Sequence, residues 1–237
     1  MLGLSAAIRA CLFDLDGVLT RTATVHAAAW RQTFDDFLRA RDGAGFVPFT
    51  ASDYERYVDG KPRDDGTRDF LTSRGIWPDE ATVAAIGTRK NEQVQREIAA
   101  GNVEVFGGSV RFLRAARDAG LRTAVVSSSA NCQLVLASVG IEDLFDVRVD
   151  GQVAVTEHIA GKPAPDMFLA AATRLQVPAA ASAVFEDAIA GVAAGRAGGF
   201  GYVVGVNRAT GDRRTAHERA LLEHGADRVV SDLEELL

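Results

Sequence analysis

The sequence predicts an α/β fold: a parallel β-sheet flanked by helices and interrupted, after its first strand, by an all-helical insertion. Three features carry this expectation. A short apolar run near the start stops at a pair of aspartates, the stretch that follows to about residue 100 has helical periodicity only, and beyond Gly101 helix-like and strand-like runs alternate.

The first element is Ala7 to Phe13, an apolar run whose flanking glycine and aspartates fit a buried strand better than a helix. Val25 to Leu38 then shows helical spacing through Ala28, Trp30, Phe34, Phe37 and Leu38, and Asp42-Gly43 marks its end. From Ser52 to Ala100 the apolar residues keep a helical period (Phe70 and Leu71, Val83 and Ile86, Val94 and Ile98), with no strand-like run.

Past Gly101 the pattern reads as helix Val110 to Ala119, strand Leu121 to Val126, helix Cys132 to Val139 and a short strand Val147 to Val149. It continues as helix Asp166 to Leu175, strand Ala183 to Phe185, helix Ala188 to Ala197, strand Gly201 to Val206, helix Asp212 to Glu223 and a last strand near Val229. Repeated βα units imply a parallel sheet. The core is therefore expected to be split, with residues 1–23 joining residues 102–237, and residues 24–101 forming a helical cap between hinges near Thr22 and Gly101.

Composition narrows the class. The 237 residues are 47% apolar and 24% charged, ordinary globular usage that can fill a sizeable core. The net charge of −6, from 32 acidic and 26 basic residues with no dense Lys/Arg run, argues against nucleic acid as a partner. The longest apolar stretches, Leu121 to Val126 and Phe200 to Val206, are too short to cross a bilayer, and no basic segment followed by an apolar leader opens the chain. The expectation is no membrane association and a cytoplasmic location, with a monomer as the default. Cys11 and Cys132 stand far apart and outside CxxC spacing, so both are expected as buried thiols rather than a disulfide or a zinc site.

In an open parallel sheet, ligands bind beyond the carboxyl ends of the strands, so chemistry is sought there. The first strand ends in Asp14-Leu15-Asp16-Gly17-Val18-Leu19-Thr20, and carboxylates so close together are costly to crowd without a cation. The second ends in Ser127-Ser128-Ser129. Lys162 lies in Gly161-Lys162-Pro163-Ala164-Pro165-Asp166 just before a helix, and Glu186-Asp187 closes another strand. Each motif alone has an ordinary structural reading: aspartates capping a turn, a serine-rich loop, a solvated loop lysine. Acid, hydroxyl, lysine and acid at successive strand ends form a more specific combination.

In these four motifs, their order and their spacing, the chain resembles the haloacid dehalogenase-like superfamily along essentially its whole length. The resemblance implies a Rossmann-like core with a helical cap and phosphoryl transfer through a covalent aspartyl phosphate. Asp14 would be the nucleophile, Asp16 the general acid and base, and Lys162 and Ser127 the cradle for the phosphoryl oxygens. Magnesium is the implied cofactor, held by Asp14, the backbone carbonyl of Asp16, Asp187 and Glu186.

The superfamily is mostly phosphatases, and the cap must choose the acceptor. Thr20-Arg21-Thr22-Ala23 leading into His26 and Trp30 resembles the hinge and first cap helix of β-phosphoglucomutase-like members. In that comparison Thr22, His26, Arg63, Lys90, Ser128, Ser129 and Asn131 fall on substrate-binding positions. Arg63 and Lys90-Asn91 match the grip on a second phosphate. Ala130 stands where well-known mutases carry lysine, Arg21 replaces an acid, and Phe106-Gly107-Gly108 replaces a proline-glycine turn. The resemblance implies a small phosphorylated sugar as ligand and interconversion of β-glucose 1-phosphate and glucose 6-phosphate. The alternatives are hydrolysis of a small sugar phosphate and, more remotely, an inactive sugar-phosphate-binding module.

Overall fold

The computed structural model describes residues 2–237. Strand β1 (Ala10–Phe13) leads into the cap, which comprises α1 (Thr22–Asp42), a short α2 (Ala51–Asp53), a π-helical turn (Tyr54–Val58), α3 (Arg63–Ser73) and α4 (Glu80–Ala99). The chain then returns as α5 (Gly107–Asp118), β2 (Arg122–Val126), α6 (Cys132–Ser138), β3 (Val147–Val149), α7 (Gly151–Thr156) and α8 (Asp166–Leu175). It finishes with β4 (Ser182–Glu186), α9 (Ile189–Ala197), β5 (Tyr202–Val206), α10 (Arg213–Glu223) and β6 (Arg228–Val230).

The six strands form one sheet in the order β3-β2-β1-β4-β5-β6, and every pairing is parallel. Central β1 pairs with β2 on one side and β4 on the other, so Phe13 is level with Val125 and Phe185. Connections leave β1 in opposite directions across the sheet, and the resulting crevice opens beyond its carboxyl end, at Asp14. Alternation sets the two faces. Cys11 and Phe13 pack with Phe112 and Leu113 of α5 and with Leu136 of α6, while Ala10 and Leu12 pack with Phe168 and Leu175 of α8 and with Val192 of α9.

The cap has a core of its own. Trp30, Phe34, Leu38, Phe49, Phe70, Leu71 and Ile86 converge between α1, α3 and α4, with ring centroids 4.3 Å apart for Phe34–Phe70 and 4.9 Å for Trp30–Phe34. Helix α4 starts at Asp79, whose carboxylate accepts the Thr82 N–H at 2.8 Å. The two strands of chain entering and leaving the cap run side by side, with the Arg21 N–H donating to Glu104 O and the Phe106 N–H to Leu19 O, each at 2.8 Å. The two linkers run antiparallel, joined at the Thr20–Val105 bridge, and so form a double connection between core and cap.

The elements follow the sequence expectation with three local differences. Strand β1 begins at Ala10 rather than Ala7, because Ile8 turns back onto Ser5 O. Helices α1 and α5 begin about one turn earlier than their apolar periodicity, since first-turn residues need no buried side chain. Helix α7 had no counterpart in the sequence reading: the Asp150 carboxylate caps it by accepting the Gln152 and Val153 N–H groups at 3.1 and 3.0 Å. Among the described residues no helix is long and apolar enough to cross a membrane. Cys11 and Cys132 are buried free thiols, and burial raises both thiol pKa values, that of Cys11 to about 12.

Candidate active site

The carboxyl ends of β1, β2 and β4, the loop before α8 and the inner side of the cap enclose a cavity of about 370 Å³. At its floor the Lys162 ammonium, fully buried, donates to Asp14 Oδ1 at 2.6 Å, to Glu186 Oε1 at 2.5 Å and to the Val126 carbonyl at 3.0 Å. These partners lie on three strand ends, so the lysine ties the sheet's edge into one charged centre. Glu186 also accepts the Ala188 N–H at 3.0 Å, which fixes its carboxylate.

Asp14, Glu186 and Asp187 present oxygens within 4.8 Å of one another. Burial pushes the Asp187 carboxyl well above the ordinary carboxylate range, and Asp59, Glu186, Asp14 and Asp16 add to the effect. Burial likewise raises Asp14, opposed by Lys162 and reinforced by Glu186 and Asp16. Burial works against the charge on Lys162, but Asp14 and Glu186 more than offset it and hold the ammonium above its usual range. The centre is thus short of positive charge. An all-oxygen donor set suits a hard cation, and magnesium fits it.

Asp16 follows Asp14 by two residues, and its carboxylate faces the hinge. It accepts a very short hydrogen bond from the Thr22 hydroxyl, lies 3.4 Å from Ser127 Oγ and 3.7 Å from His26 Nε2. Thr22 is buried and hydrogen bonded to Thr20 at 2.6 Å, so the structure places it on Asp16 rather than on the cavity wall. The tight approach of the first loop requires Gly17. Its φ is +87°, and a Cβ there would sit 1.7 Å from Asp187 Oδ2.

The cap supplies the rest of the wall. His26, Arg63 and Lys90 line the cavity together with Asn91 and Asn131. Lys90 is buried, 2.9 Å from His26 Nδ1 and 5.2 Å above the Trp30 ring. When Lys90 is protonated its ammonium has no acceptor to offer, so Nδ1 accepts and His26 carries its proton on Nε2. That Nε2 is buried without a partner and faces the cavity near Asp16. Burial, with the Lys90 charge beside it, lowers the His26 pKa to about 4, so the imidazole is neutral near pH 7. Burial lowers Lys90 to about 7. Arg63 is held by a hydrogen bond from its guanidinium to Gly87 O at 3.2 Å.

Core and cap meet around this cavity. The Ser128 hydroxyl donates to Gly60 O of the cap at 2.7 Å, Asn131 bridges to Asn91 at 2.9 Å, and the Gln95 amide reaches Asn131 at 3.3 Å. A Cβ on Gly161 would lie 2.0 Å from Pro62. Core and cap are therefore in direct contact beside the cavity. Ser129 lines the wall, and its hydroxyl accepts the Asn131 N–H at 3.2 Å.

The cavity thus gathers Asp14, Asp16, Ser127, Asp187, His26, Arg63, Lys90, Ser128, Ser129 and Asn131 on its wall, with Lys162 and Glu186 directly beneath. Four supporting residues escaped the sequence reading. Arg208 donates to Gly17 O at 2.9 Å and Val18 O at 3.1 Å while stacking 3.6 Å from the Phe106 centroid, and so clamps the loop bearing Asp16. His217 of α10 lies 2.9 Å from Asp187 O. Tyr54 and Asp59 enter the cavity from the π-helical turn. The acidic residue in Tyr-Val-Asp-Gly, ahead of Arg63, was the available signal for the last.

Comparisons with known proteins agree with this geometry. Residues 8–199 match the haloacid dehalogenase-like hydrolase family. The chain is 53% identical to a β-phosphoglucomutase of Mycobacterium tuberculosis over 250 residues, spanning 100% of this chain and 94% of that protein. The crystal structure of β-phosphoglucomutase from Clostridium difficile superposes with a TM-score of 0.77 at 26% identity, covering 97% of this chain and 93% of that one. CbbY from Rhodobacter sphaeroides in complex with xylulose-(1,5)bisphosphate gives 0.74 at 25% identity, over 97% and 96% of the two chains. On its motifs, fold and sequence identity, the chain belongs to the haloacid dehalogenase-like hydrolases and is an enzyme of their β-phosphoglucomutase-like branch.

Proposed function

We propose that the protein interconverts β-glucose 1-phosphate and glucose 6-phosphate through an aspartyl phosphate on Asp14. One observation carries this reading: one cavity between core and cap is lined both by the carboxylates around Asp14 and by the cap cations Arg63 and Lys90. Such a cavity suits a small ligand with two anionic groups, as a sugar bisphosphate intermediate is. Its relatives named β-phosphoglucomutase and the neighbour crystallised with a sugar bisphosphate support the choice.

In this mechanism Asp14 attacks phosphorus, and Lys162 and the Ser127 hydroxyl stabilise charge on the phosphoryl oxygens. Asp16 gives a proton to the departing sugar oxygen and takes one from the sugar hydroxyl that is phosphorylated next. Arg63 and Lys90 hold the phosphate that is not reacting, first in one orientation of the bisphosphate and then in the other. Closure of the cap over the ligand would exclude water that otherwise hydrolyses the aspartyl phosphate. Asp14, Asp187, the Asp16 carbonyl and Glu186 are the residues that would hold magnesium, which when bound offsets repulsion between the carboxylate and the phosphoryl oxygens.

Incubating the enzyme with β-glucose 1-phosphate, magnesium and a trace of glucose 1,6-bisphosphate should produce glucose 6-phosphate. Release of inorganic phosphate and glucose in its place would establish the second reading, a sugar-phosphate phosphatase. Ala130 favours that alternative, because it brings no cation to a wall where well-known mutases carry lysine.

A further inference from the structure

The cap contributes a carboxylate to the acidic end of the cavity, and the mechanism above leaves it without a task. Asp59 follows the π-helical turn, whose last backbone bond runs from the Asp59 N–H to Tyr54 O at 2.9 Å. It lines the cavity with Tyr54, Asp14, Asp16 and Asp187. The next residue, Gly60, is pressed onto the core: a Cβ there would sit 2.8 Å from the Ala188 Cβ, immediately after Asp187 in the chain. The same turn is tied to the helix that positions Asp187. Glu55 pairs with Arg213 of α10 at 3.0 Å, and His217 of α10 lies 2.9 Å from Asp187 O.

Closing the cap therefore carries Asp59 toward carboxylates that already outnumber Lys162. Without a cation that approach is repulsive, and with one it is attractive. Arg63 and Lys90 do not pair with Asp59, since their hydrogen bonds run to Gly87 O and to His26. Tyr54 already hydrogen-bonds the Asp59 carboxylate, and neither it nor a neutral sugar hydroxyl relieves the repulsion, whereas a cation behind its water shell would offset the charge.

We propose that Asp59 is a cap-borne, water-mediated partner of a divalent cation held by Asp14 and Asp187, so that cation binding and cap closure strengthen each other. The inference rests on the divalent-cation reading above. Reciprocity follows from linkage: a group that joins the ion only in the closed state must make the ion favour closure to the same extent. Asp59 is accordingly a positioning residue and touches neither phosphorus nor the nucleophile.

The test is Mn²⁺ titration of the whole protein, with free ion measured by electron paramagnetic resonance, for wild type, Asp59→Asn and Asp59→Glu. Solution scattering is recorded at each end point. Asp59→Asn should bind roughly 10- to 100-fold more weakly, the usual effect of losing an outer partner of a metal site. Asp59→Glu should recover part of the loss. Wild type should compact when Mn²⁺ is added, whereas Asp59→Asn should be nearly as compact without the ion and respond little to it. Equal Mn²⁺ affinity in wild type and Asp59→Asn overturns the inference alone, and a change confined to sugar-phosphate affinity would assign Asp59 to the sugar instead. Absence of Mn²⁺ binding to wild type overturns both this inference and the metal reading. Wild-type scattering that ignores the cation also overturns the coupling, whatever the variants do.

Discussion

Lys90 gives a prediction in which the binding site opposes the stability of the protein that carries it. The residue is 6% exposed, and the near neighbours of its ammonium are an imidazole at 2.9 Å and an indole ring at 5.2 Å. Burial lowers its pKa from 10.5 to about 7 in the folded chain. Between those values the unfolded chain binds a proton that the folded chain does not, so stability rises with pH across that window. Below pH 7 the full cost applies, on the order of 5 kcal/mol as an upper bound, because lifting the cap lets water reach the ammonium. Lys90→Met keeps the apolar stem and removes the charge. Calorimetric melting of both proteins in phosphate-free buffer from pH 6 to pH 10 should show the variant melting higher below pH 7. Even about 2 kcal/mol of relief would raise the midpoint by roughly 4 to 8 °C in a chain of this size, and the gap should close toward pH 10. Glucose 6-phosphate should then stabilise wild type more than the variant, since only wild type offers it the ammonium. Parallel melting curves across the range, or a wild type that is more stable below pH 7, would refute the argument that Lys90 is held desolvated for an anion.

Other substitutions separate the remaining roles. Asp14→Asn should lower turnover on the order of 10⁴-fold or more with metal in excess, and no phosphoprotein should survive acid quenching. Arg63→Ala should cost roughly 2 to 5 kcal/mol of transition-state stabilisation in sugar-phosphate interconversion while leaving acetyl phosphate hydrolysis nearly unchanged, as competing rates will show. Gly17→Ala should lose about 1 to 2 kcal/mol from its left-handed backbone alone, and its Cβ would displace Asp187. A lower melting midpoint and a higher magnesium requirement are the readouts. Arg208→Lys removes the forked donors that hold Gly17 O and Val18 O, and should lower kcat by misplacing Asp16 while circular dichroism stays unchanged.

The core was legible because its signals are local. Four-residue β1 is apolar on both faces since helices cover both, and it ends where Asp14 begins, so the place of Asp14 at the strand end could be read from adjacent residues. The match at Asp166–Leu175 reflects an apolar stripe that packs on β1 and β2. The cap was legible as helices but not as a wall. The π-helical turn at Tyr54–Val58 has no spacing that distinguishes it from an ordinary helix, and it is what turns Asp59 into the cavity. Arg208 and His217 looked like surface residues of a loop and a helix, because their partners lie on segments distant in the chain.

By itself the sequence determined the βα alternation, the interruption after the first strand and the identity of the strand-end groups. Each follows from hydrophobic periodicity or from residues within a turn of one another, which the chain encodes without reference to distant parts. Only the tertiary structure decided which charges meet. Lys162 reaches Asp14 across 148 residues of sequence, Ser128 is engaged by the cap's Gly60, and Lys90 is stripped of water against Trp30 and His26. Those meetings depend on where the sheet's crevice opens and how the cap packs against it. The same residues, a few ångströms apart in an open chain, would be ordinary solvated charges with ordinary pKa values; closure and burial make them a site.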